Sequence, residues 1–298
     1  MELNGLHLLL TYQCTFECDH CFVWGSPWQS GTMSLSLIDD ILQQAKETGS
    51  VEWIYFEGGE PFLYYQVMLA GISLAVERGF KVGIVTNSYW ATSAEDALLW
   101  LSPLAGKVDD LSISSDLFHF SEKVSQQSKN ASIAADKLNI PIGVITIEQP
   151  ECPGISTVGQ IPPEPASIMY RGRAADKLVP KAALYRSQLF TECPHEDLTN
   201  PGRVHLDSFG NLHICQGISI GNMLSDSIKK ICQDFNPSSH PIIGPLLEGG
   251  PVKLAEQYHL PMNNAYADAC HMCYEARKML REQFPHILTP DQMYAVTS

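Results

Sequence analysis

Strand-like and helix-like segments alternate along the first half of the chain, and this alternation limits the fold more than any other feature. The apolar run at residues 6–10 predicts a buried strand, and further strand-like runs begin near residues 51, 81, 110 and 140. The later starts lie about thirty residues apart, which is the length of one strand–helix unit. Val- and Ile-rich strands separated by helices predict a parallel sheet covered on at least one face.

Right-handed crossovers curl such a sheet towards a closed or partial barrel. Helices are predicted at 36–48, 64–78, 93–105 and 121–138, with Ser36 and Ser121 as N-caps of the first and last. A short sixth strand is predicted at 168–170. The predicted fold class is therefore α/β, a partial (β/α)6 TIM-like barrel over residues 1–185, followed by a small extension over 186–298.

Three cysteines, Cys14, Cys18 and Cys21, follow the first strand. A loop at the carboxyl end of a barrel strand is where such folds place their chemistry. Three thiolates are one short of the four that complete a structural zinc site or hold an Fe4S4 cluster, so a cluster here would keep one iron free. A redox dithiol, a zinc site completed by a distant cysteine, and buried free thiols remain open alternatives.

Polar and glycine residues follow the next strands. Gly58 and Gly59 precede Glu60, and paired glycines let a ligand approach the main chain closely, although a plain turn uses the same residues. Short polar side chains at later strand ends form a ring suited to a polar small molecule, and helix capping explains some of them equally well. These residues are Thr86, Asn87, Ser114 and Asp116.

The last third of the chain contains a second group of cysteines: Cys193, Cys215, Cys270 and Cys273. Two alternating runs around a turn predict a β-hairpin over 203–215, and an amphipathic helix is predicted at 274–283. On ligand chemistry alone, four cysteines in this setting suit zinc or an Fe4S4 cluster equally.

The overall charge restricts the partners. The formal net charge is −14, from 33 acidic and 19 basic residues, which disfavours a nucleic-acid partner. No secretory signal is apparent, and the apolar stretch 64–76 is too short to span a bilayer, so no membrane partner is expected. Nine cysteines without an export signal indicate metal ligation rather than disulfides, and hence a cytoplasmic location.

The Cys-x3-Cys-x2-Cys motif followed by Gly58-Gly59-Glu60-Pro61 resembles the radical S-adenosylmethionine (SAM) superfamily over roughly residues 6–185. The resemblance implies that Cys14, Cys18 and Cys21 hold an Fe4S4 cluster whose free iron binds SAM. It also implies further residues at the cofactor. Those expected to contact SAM are Gly58, Gly59 and Glu60 at the methionyl end, His20 beside the adenine, Thr86, Asn87, Ser114 and Asp116 at the carboxylate or ribose, and Arg171 or Arg173 at the carboxylate.

The later segments resemble radical SAM enzymes that carry a cluster-bearing extension. Residues 172–174 are similar to the Gly-Arg-Ala segment of the last barrel strand in such enzymes. The hairpin region with Cys193 and Cys215 is similar to the SPASM/twitch extension. The full SPASM pattern has a later Cys-x5-Cys-x3-Cys run that this chain lacks. The resemblance therefore implies one auxiliary Fe4S4 cluster, held by Cys193, Cys215, Cys270 and Cys273.

A radical SAM enzyme of this kind takes an electron from a donor such as flavodoxin or ferredoxin. It cleaves SAM reductively and uses the 5′-deoxyadenosyl radical to abstract hydrogen from a peptide or small-molecule substrate. Cys152, in a proline-rich segment, is a candidate hydrogen donor to the substrate radical, and Cys232 is expected to be a buried thiol.

Other functions remain open. The chain could be a non-catalytic or zinc-stabilised metal-binding barrel. It could also be a small-molecule dehydrogenase or epimerase rather than a peptide-modifying enzyme. An RNA-modifying radical enzyme needs a basic face, and the net charge counts against it.

Overall fold

The computed structural model describes residues 1–121, 125–150 and 166–296. The strands in chain order are β1 (Leu3–Thr11), β2 (Trp53–Gly58), β3 (Lys81–Thr86), β4 (Asp110–Ser114), β5 (Ile142–Ile145), β6 (Tyr185–Arg186), β7 (Gly202–Leu206), β8 (Asn211–Cys215), β9 (Ile218–Asn222) and β10 (Ala265–Tyr266). The α-helices are α1 (Leu35–Thr48), α2 (Tyr65–Glu77), α3 (Ala94–Leu101), α4 (Gln126–Lys137), α5 (Arg173–Lys177), α6 (Ile228–Asp234), α7 (Ile243–Gln257) and α8 (Ala269–Leu280).

Eight of the strands form one sheet in the order β5-β4-β3-β2-β1-β7-β8-β9. β1 to β5 are parallel neighbours joined by α1 to α4, and β7 pairs with β1 in parallel on its other side. β8 and β9 continue the sheet antiparallel. This arrangement confirms the predicted α/β class and is the architecture of a partial TIM-like barrel.

Alternate residues of the parallel strands face the helices and form the larger core. In β1 the side chains of Leu6, Leu8 and Leu10 are fully buried on this face. Because side chains alternate along a strand, Gly5, His7 and Leu9 face the opposite, inner side of the sheet. A second core joins β8 and β9 to the two long C-terminal helices, and it contains Ile214, Ile218, Ile243, Leu246, Tyr274 and Leu280.

Two predicted helix caps were wrong, although the helices themselves exist. The N-cap of α1 is Ser34 rather than Ser36, because Ser34 has the extended backbone of a cap and its hydroxyl accepts from the Leu37 amide. Likewise α4 is capped by Ser125 instead of Ser121. Nearby serines compete for these positions, and only the backbone geometry decides between them.

The sixth strand predicted at 168–170 is also wrong. That segment forms no strand, and the Tyr170 amide donates to the Asp268 carboxylate instead. The sixth parallel strand is β7, which comes from the predicted extension and lies beside β1. The predicted hairpin is confirmed as β7 and β8. The proposed division at residue 185 stays a prediction, and the large sheet contains strands from both sides of it.

The C-terminal helix begins earlier than expected. α8 starts at Ala269 rather than at residue 274, because the Asp268 side chain accepts from the His271 amide and caps it. Cys270 and Cys273 therefore lie within the first turns of α8, one turn apart. Among the described helices, none is long and apolar enough to cross a bilayer.

Candidate functional site

The first three cysteines lie in the loop that follows β1. Cys14 and Cys18 are buried and Cys21 is half-buried. The Cys14 sulfur accepts hydrogen bonds from the Phe16 amide at 3.4 Å and from Asn87 Nδ2 at 3.5 Å. The Cys21 sulfur accepts one from the Gly25 amide at 3.2 Å. Donors aimed at sulfur favour the thiolate, which is the form that binds metal.

Without a cation, the surroundings oppose ionisation of these thiols. Burial, together with the nearby Glu60 and Cys21 charges, raises the pKa of Cys14 to about 12, although the hydrogen bonds from Phe16 and Asn87 act against the rise. Burial also raises the pKa of Cys18, and Cys21 and Cys14 add to the effect. Adjacent sulfurs that raise one another's pKa are typical of a metal-binding set, since a bound cation removes this penalty.

The segment before α5 holds this cysteine loop in place. Arg173 Nη1 donates to the Cys18 carbonyl at 2.9 Å, and Nη2 donates to the Gly25 carbonyl at 2.7 Å. Gly172 has a φ of +60°, and a Cβ there would lie 2.6 Å from the Phe22 carbonyl oxygen. Only glycine fits this position, so the predicted Gly-Arg-Ala segment acts here on the main chain of the loop.

The two glycines after β2 pack against the same loop. A Cβ on Gly58 would lie 2.4 Å from the Thr11 carbonyl oxygen. A Cβ on Gly59 would lie 2.0 Å from the Gln13 carbonyl oxygen. The Gly59 amide also donates to the Thr11 carbonyl at 2.6 Å. The close approach expected for a ligand is therefore made by the protein's own main chain. A contact of these glycines with SAM stays a prediction.

The carboxylate of Glu60 joins the ends of β2 and β3. It is fully buried and accepts from the Phe62 amide at 3.0 Å, from Thr86 Oγ1 at 2.8 Å and from the Asn87 amide at 2.8 Å. Burial raises the pKa of Glu60 to about 7, although these three hydrogen bonds act against the rise. Through Asn87, which also donates to the Cys14 sulfur, Glu60 positions the cysteine loop.

The hydroxyl of Thr86 is fully used within the protein. It donates to Glu60 and accepts from the Ser88 amide and from Trp90 Nε1, both at 3.1 Å. A hydroxyl has one donor and two acceptor positions, so a contact of Thr86 with SAM, which stays a prediction, would cost one of these bonds. Asn87 directly follows β3, and half-buried Ser114 is the last residue of β4, so both lie at the ends of neighbouring strands, as predicted.

A small polar group lies beside Cys18. Asp116 accepts from the Phe118 amide at 2.9 Å and contacts His119 Nδ1 at 2.8 Å. Burial would raise the pKa of Asp116, but the hydrogen bond and charge of His119 lower it below its ordinary value. The His20 ring packs against Phe118 at a tilt, with 4.7 Å between ring centroids, and burial lowers the pKa of His20 to about 4. Its buried Nδ1 has no hydrogen-bond partner among the described residues, so this nitrogen is available to a ligand.

The four C-terminal cysteines line one pocket between the β8–β9 hairpin and α8, and these are Cys193, Cys215, Cys270 and Cys273. Burial and, to a smaller extent, the neighbouring sulfurs of Cys215 and Cys273 raise the pKa of Cys193 to about 12. Burial also raises the pKa of Cys270 and of Cys273. The structure thus brings together the four residues that the sequence analysis grouped.

Two buried arginines accompany this second set. Arg171 Nη1 donates to the Cys215 sulfur at 3.0 Å and to Glu196 at 3.2 Å. Arg277 is 1 % exposed, and its Nε donates to the Cys273 carbonyl at 3.3 Å. Buried cations require anions nearby, so they favour thiolates in this pocket.

This geometry places Arg171 with the C-terminal cysteines and not with the first set, so its predicted contact with the SAM carboxylate stays a prediction. The sequence analysis missed Glu196 and Arg277. Only the spacing of Arg277, four residues after Cys273 on one helix, offered a signal.

The two sulfur sets fit iron–sulfur clusters. The first offers three thiols in one loop, and the second offers four in one pocket. Cys232 lies buried in α6 beside the core, as expected for a structural thiol. Cys152 lies outside the described residues, so its role as a hydrogen donor stays a prediction.

Comparison with known proteins gives a family match over part of the chain. Residues 8–129 match the Radical SAM superfamily, and this match covers the first cysteine loop and the Gly-Gly-Glu segment. The fold agrees, since the structure of native anSMEcpe with bound AdoMet aligns with a TM-score of 0.50 over 95 % of this chain and 97 % of that chain, at 13 % identity. This part of the chain is similar to the radical SAM superfamily, and the match implies SAM and an Fe4S4 cluster as cofactors.

Two curated relatives are similar over part of their length. The S-adenosylmethionine-dependent nucleotide dehydratase of Selenomonas ruminantium is 31 % identical over 111 residues, which is 37 % of this chain and 38 % of that protein. The putative peptide biosynthesis protein YydG of Bacillus subtilis is 25 % identical over 122 residues, which is 41 % of this chain and 38 % of that protein. The chain thus aligns with less than half of either relative.

Proposed function

We propose that this protein generates a 5′-deoxyadenosyl radical and uses it to abstract hydrogen from a peptide or small-molecule substrate. The observation that carries the proposal is the set of three thiols after β1, held against Gly59 and Glu60. The other described cysteines lie elsewhere, four in a second pocket and Cys232 in α6. An Fe4S4 cluster on three thiols keeps one iron open for the amino and carboxylate groups of SAM, and the bound pair supplies the radical after one-electron reduction.

The protein's own residues position and shield this chemistry. Arg173 fixes the main chain between Cys18 and Gly25, so the sulfurs keep one arrangement. Asn87 directs an amide donor at Cys14. His20, whose Nδ1 has no partner among the described residues, and the Asp116 carboxylate near Cys18 are the groups we expect to contact the adenine and the ribose. A donor such as flavodoxin or ferredoxin would supply the electron, and we expect a cytoplasmic location.

For the second pocket we propose an auxiliary Fe4S4 cluster of the SPASM/twitch type, held by the four C-terminal cysteines. Arg171 and Arg277 support this proposal because their buried charges offset the net negative charge of four thiolates. A structural zinc ion carries the same four ligands and remains the alternative for this pocket. Iron and labile sulfide separate the two, since a zinc site contains neither.

The substrate class rests on the relatives. One is a nucleotide dehydratase and the other a putative peptide biosynthesis protein, so both small molecules and peptides stay candidates. Dehydrogenation and epimerisation are compatible reaction types, because both begin with hydrogen abstraction. Cys152, if it faces the substrate, would return the hydrogen atom in an epimerisation.

The test is anaerobic purification followed by metal analysis and SAM cleavage. We expect about eight irons per chain from two clusters. Replacing Cys14, Cys18 and Cys21 with alanine should remove about half of the iron and all formation of 5′-deoxyadenosine under dithionite. A triple variant that still forms 5′-deoxyadenosine would overturn the proposal. Zinc in place of iron in the second pocket would overturn only the auxiliary cluster.

A further inference from the structure

Three ligand-type side chains converge on the inner face of the sheet, outside both cysteine sets. His7 Nδ1 lies 3.3 Å from Glu57 Oε1, and His205 Nε2 lies 3.0 Å from the same oxygen. All three ligand atoms lie within 4.8 Å of one another. We propose that His7, Glu57 and His205 bind one divalent transition-metal ion that is separate from the iron–sulfur clusters.

The sheet register creates this group from residues far apart in the chain. β1 pairs with β7 so that His7 lies opposite His205, and with β2 so that Leu9 lies opposite Glu57. His7 and Leu9 point to the same face, which places Glu57 diagonally across from His7. Because three neighbouring strands supply one ligand each, the site is built on rigid elements rather than on a loop.

The contacts at Glu57 do not have the geometry of hydrogen bonds. Glu57 Oε1 is buried and has no hydrogen-bond partner among the described residues, although two ring nitrogens lie within 3.3 Å of it. A metal ion at about 2.0–2.2 Å from each atom satisfies this oxygen and both nitrogens together. Ligand atoms around such an ion are themselves roughly 3 Å or more apart. The distances of 3.3 and 3.0 Å from Glu57 Oε1 to the two nitrogens agree with this.

Another histidine–carboxylate pair on the same sheet provides an internal comparison. His213 Nε2 makes a 2.9 Å hydrogen bond to Asp207, and the same carboxylate accepts from the Phe209 and Asn211 amides at 2.9 Å. Main-chain donors therefore satisfy the hydrogen-bonding capacity of the Asp207 carboxylate, so His213 and Asp207 form a structural pair. Glu57 differs because its Oε1 meets imidazole nitrogens alone.

The surroundings fit an accessible site with open positions. The three side chains are 12–15 % exposed, so an ion can enter from the inner face. Tyr55 stacks on the His7 ring at 4.5 Å, and Phe22 packs on His205 at 5.6 Å, which fixes both rings. Two imidazoles and one carboxylate suit zinc, iron, cobalt or manganese better than calcium or magnesium, which prefer oxygen ligands.

The experiment uses the full chain with both cysteine sets filled by iron and sulfide, titrated with Co²⁺ as the probe. We expect one additional equivalent of Co²⁺, with weak visible bands and without the intense charge-transfer band of thiolate ligation. E57Q and H205Q should bind it at least about tenfold more weakly, since even partners that only orient a ligand cost that much. H286Q, which removes an exposed histidine, should bind it like the native chain.

The proposal is overturned by the absence of Co²⁺ binding to the native chain, or by binding that E57Q and H205Q leave unchanged. Co²⁺ with a thiolate band also overturns it, because the ion is then at the cysteines. If E57Q does not fold, H7Q removes a ligand from a different strand and gives the same test. The result is independent of SAM cleavage, so it leaves the proposed function untouched.

Discussion

Arg173 Nη1 donates a 2.9 Å hydrogen bond to the main-chain carbonyl of Cys18, which lies 155 residues earlier in the sequence. Its second amino group bonds to the Gly25 carbonyl, and its own amide donates to the Cys21 carbonyl at 3.0 Å. Arg173, through its side chain and its own amide, therefore closes the loop that carries all three sulfurs. A loop fixed in this way keeps its sulfurs together before any metal arrives.

We expect Arg173→Ala to lower the free energy of unfolding by about 3 kcal/mol, because it leaves two buried carbonyls without donors. The variant should also lose iron from the first set. Urea unfolding and iron analysis measure the two effects. Arg186→Ala, at an exposed position, should stay within about 0.5 kcal/mol of the native chain. Equal stability of the two variants would show that the bonds to the loop contribute little.

Gly59→Ala should prevent the first cysteine loop from forming. The new Cβ would lie 2.0 Å from the Gln13 carbonyl oxygen, which is main chain and cannot move aside cheaply. Iron per chain should fall by about half, since only the second set stays intact. Gly143→Ala is the matched control, because its Cβ meets nothing within 4 Å. Full iron content in Gly59→Ala would contradict the role given to this contact.

The carboxyl group of Glu60 should make stability depend on pH. Its pKa is about 7 in the folded chain against an ordinary 4.5, so the folded state binds more protons between these values. The free energy of unfolding therefore falls as the pH rises through this window. Glu60→Gln cannot ionise, so the stability of the native chain relative to this variant should decrease from pH 5.5 to 8. A difference that stays constant or grows would contradict the raised pKa.

Arg171→Gln should lower the iron held by the C-terminal set, because it removes the cation beside the Cys215 sulfur. We expect the variant to keep about four irons, as Cys273→Ala should. Arg203→Gln is the control, since Arg203 lies 3.9 Å from the same Glu196 but is exposed to a greater extent. Iron lost equally from both arginine variants would point to Glu196, and not to the arginine–sulfur contact, as the important partner.

Local patterns in the sequence were sufficient for β1 to β5, for the hairpin of β7 and β8, and for the grouping of the cysteines. β2 to β5 and the loop of Cys14 follow from apolar runs and motif spacing, which depend on neighbouring residues alone. The grouping of Cys193 with Cys270 followed from the spacing of the four cysteines in the last third of the chain, and only their assignment to an auxiliary cluster came from resemblance to a family.

Contacts between distant segments could not be predicted in this way. The pairing of β1 with β7 is set by register across 200 residues, so nothing near His7 or Glu57 indicated that His205 would join them. The contact of Arg171 with Cys215 depends on where the end of β8 packs, and the sequence does not indicate that position. The strand predicted at 168–170 failed because Asp268, far along the chain, takes the Tyr170 amide.

The pairing of β7 with β1 also determines where the chain can be cut. β1 is a central strand with a neighbour on each side, and its residues 6–10 are almost entirely leucine. A fragment ending at residue 185 would expose one side of this strand as an open edge with unpaired amides and carbonyls. Such edges recruit strands from other molecules, so the fragment should aggregate rather than remain a monomeric barrel. The last third of the chain thus protects the first from self-association.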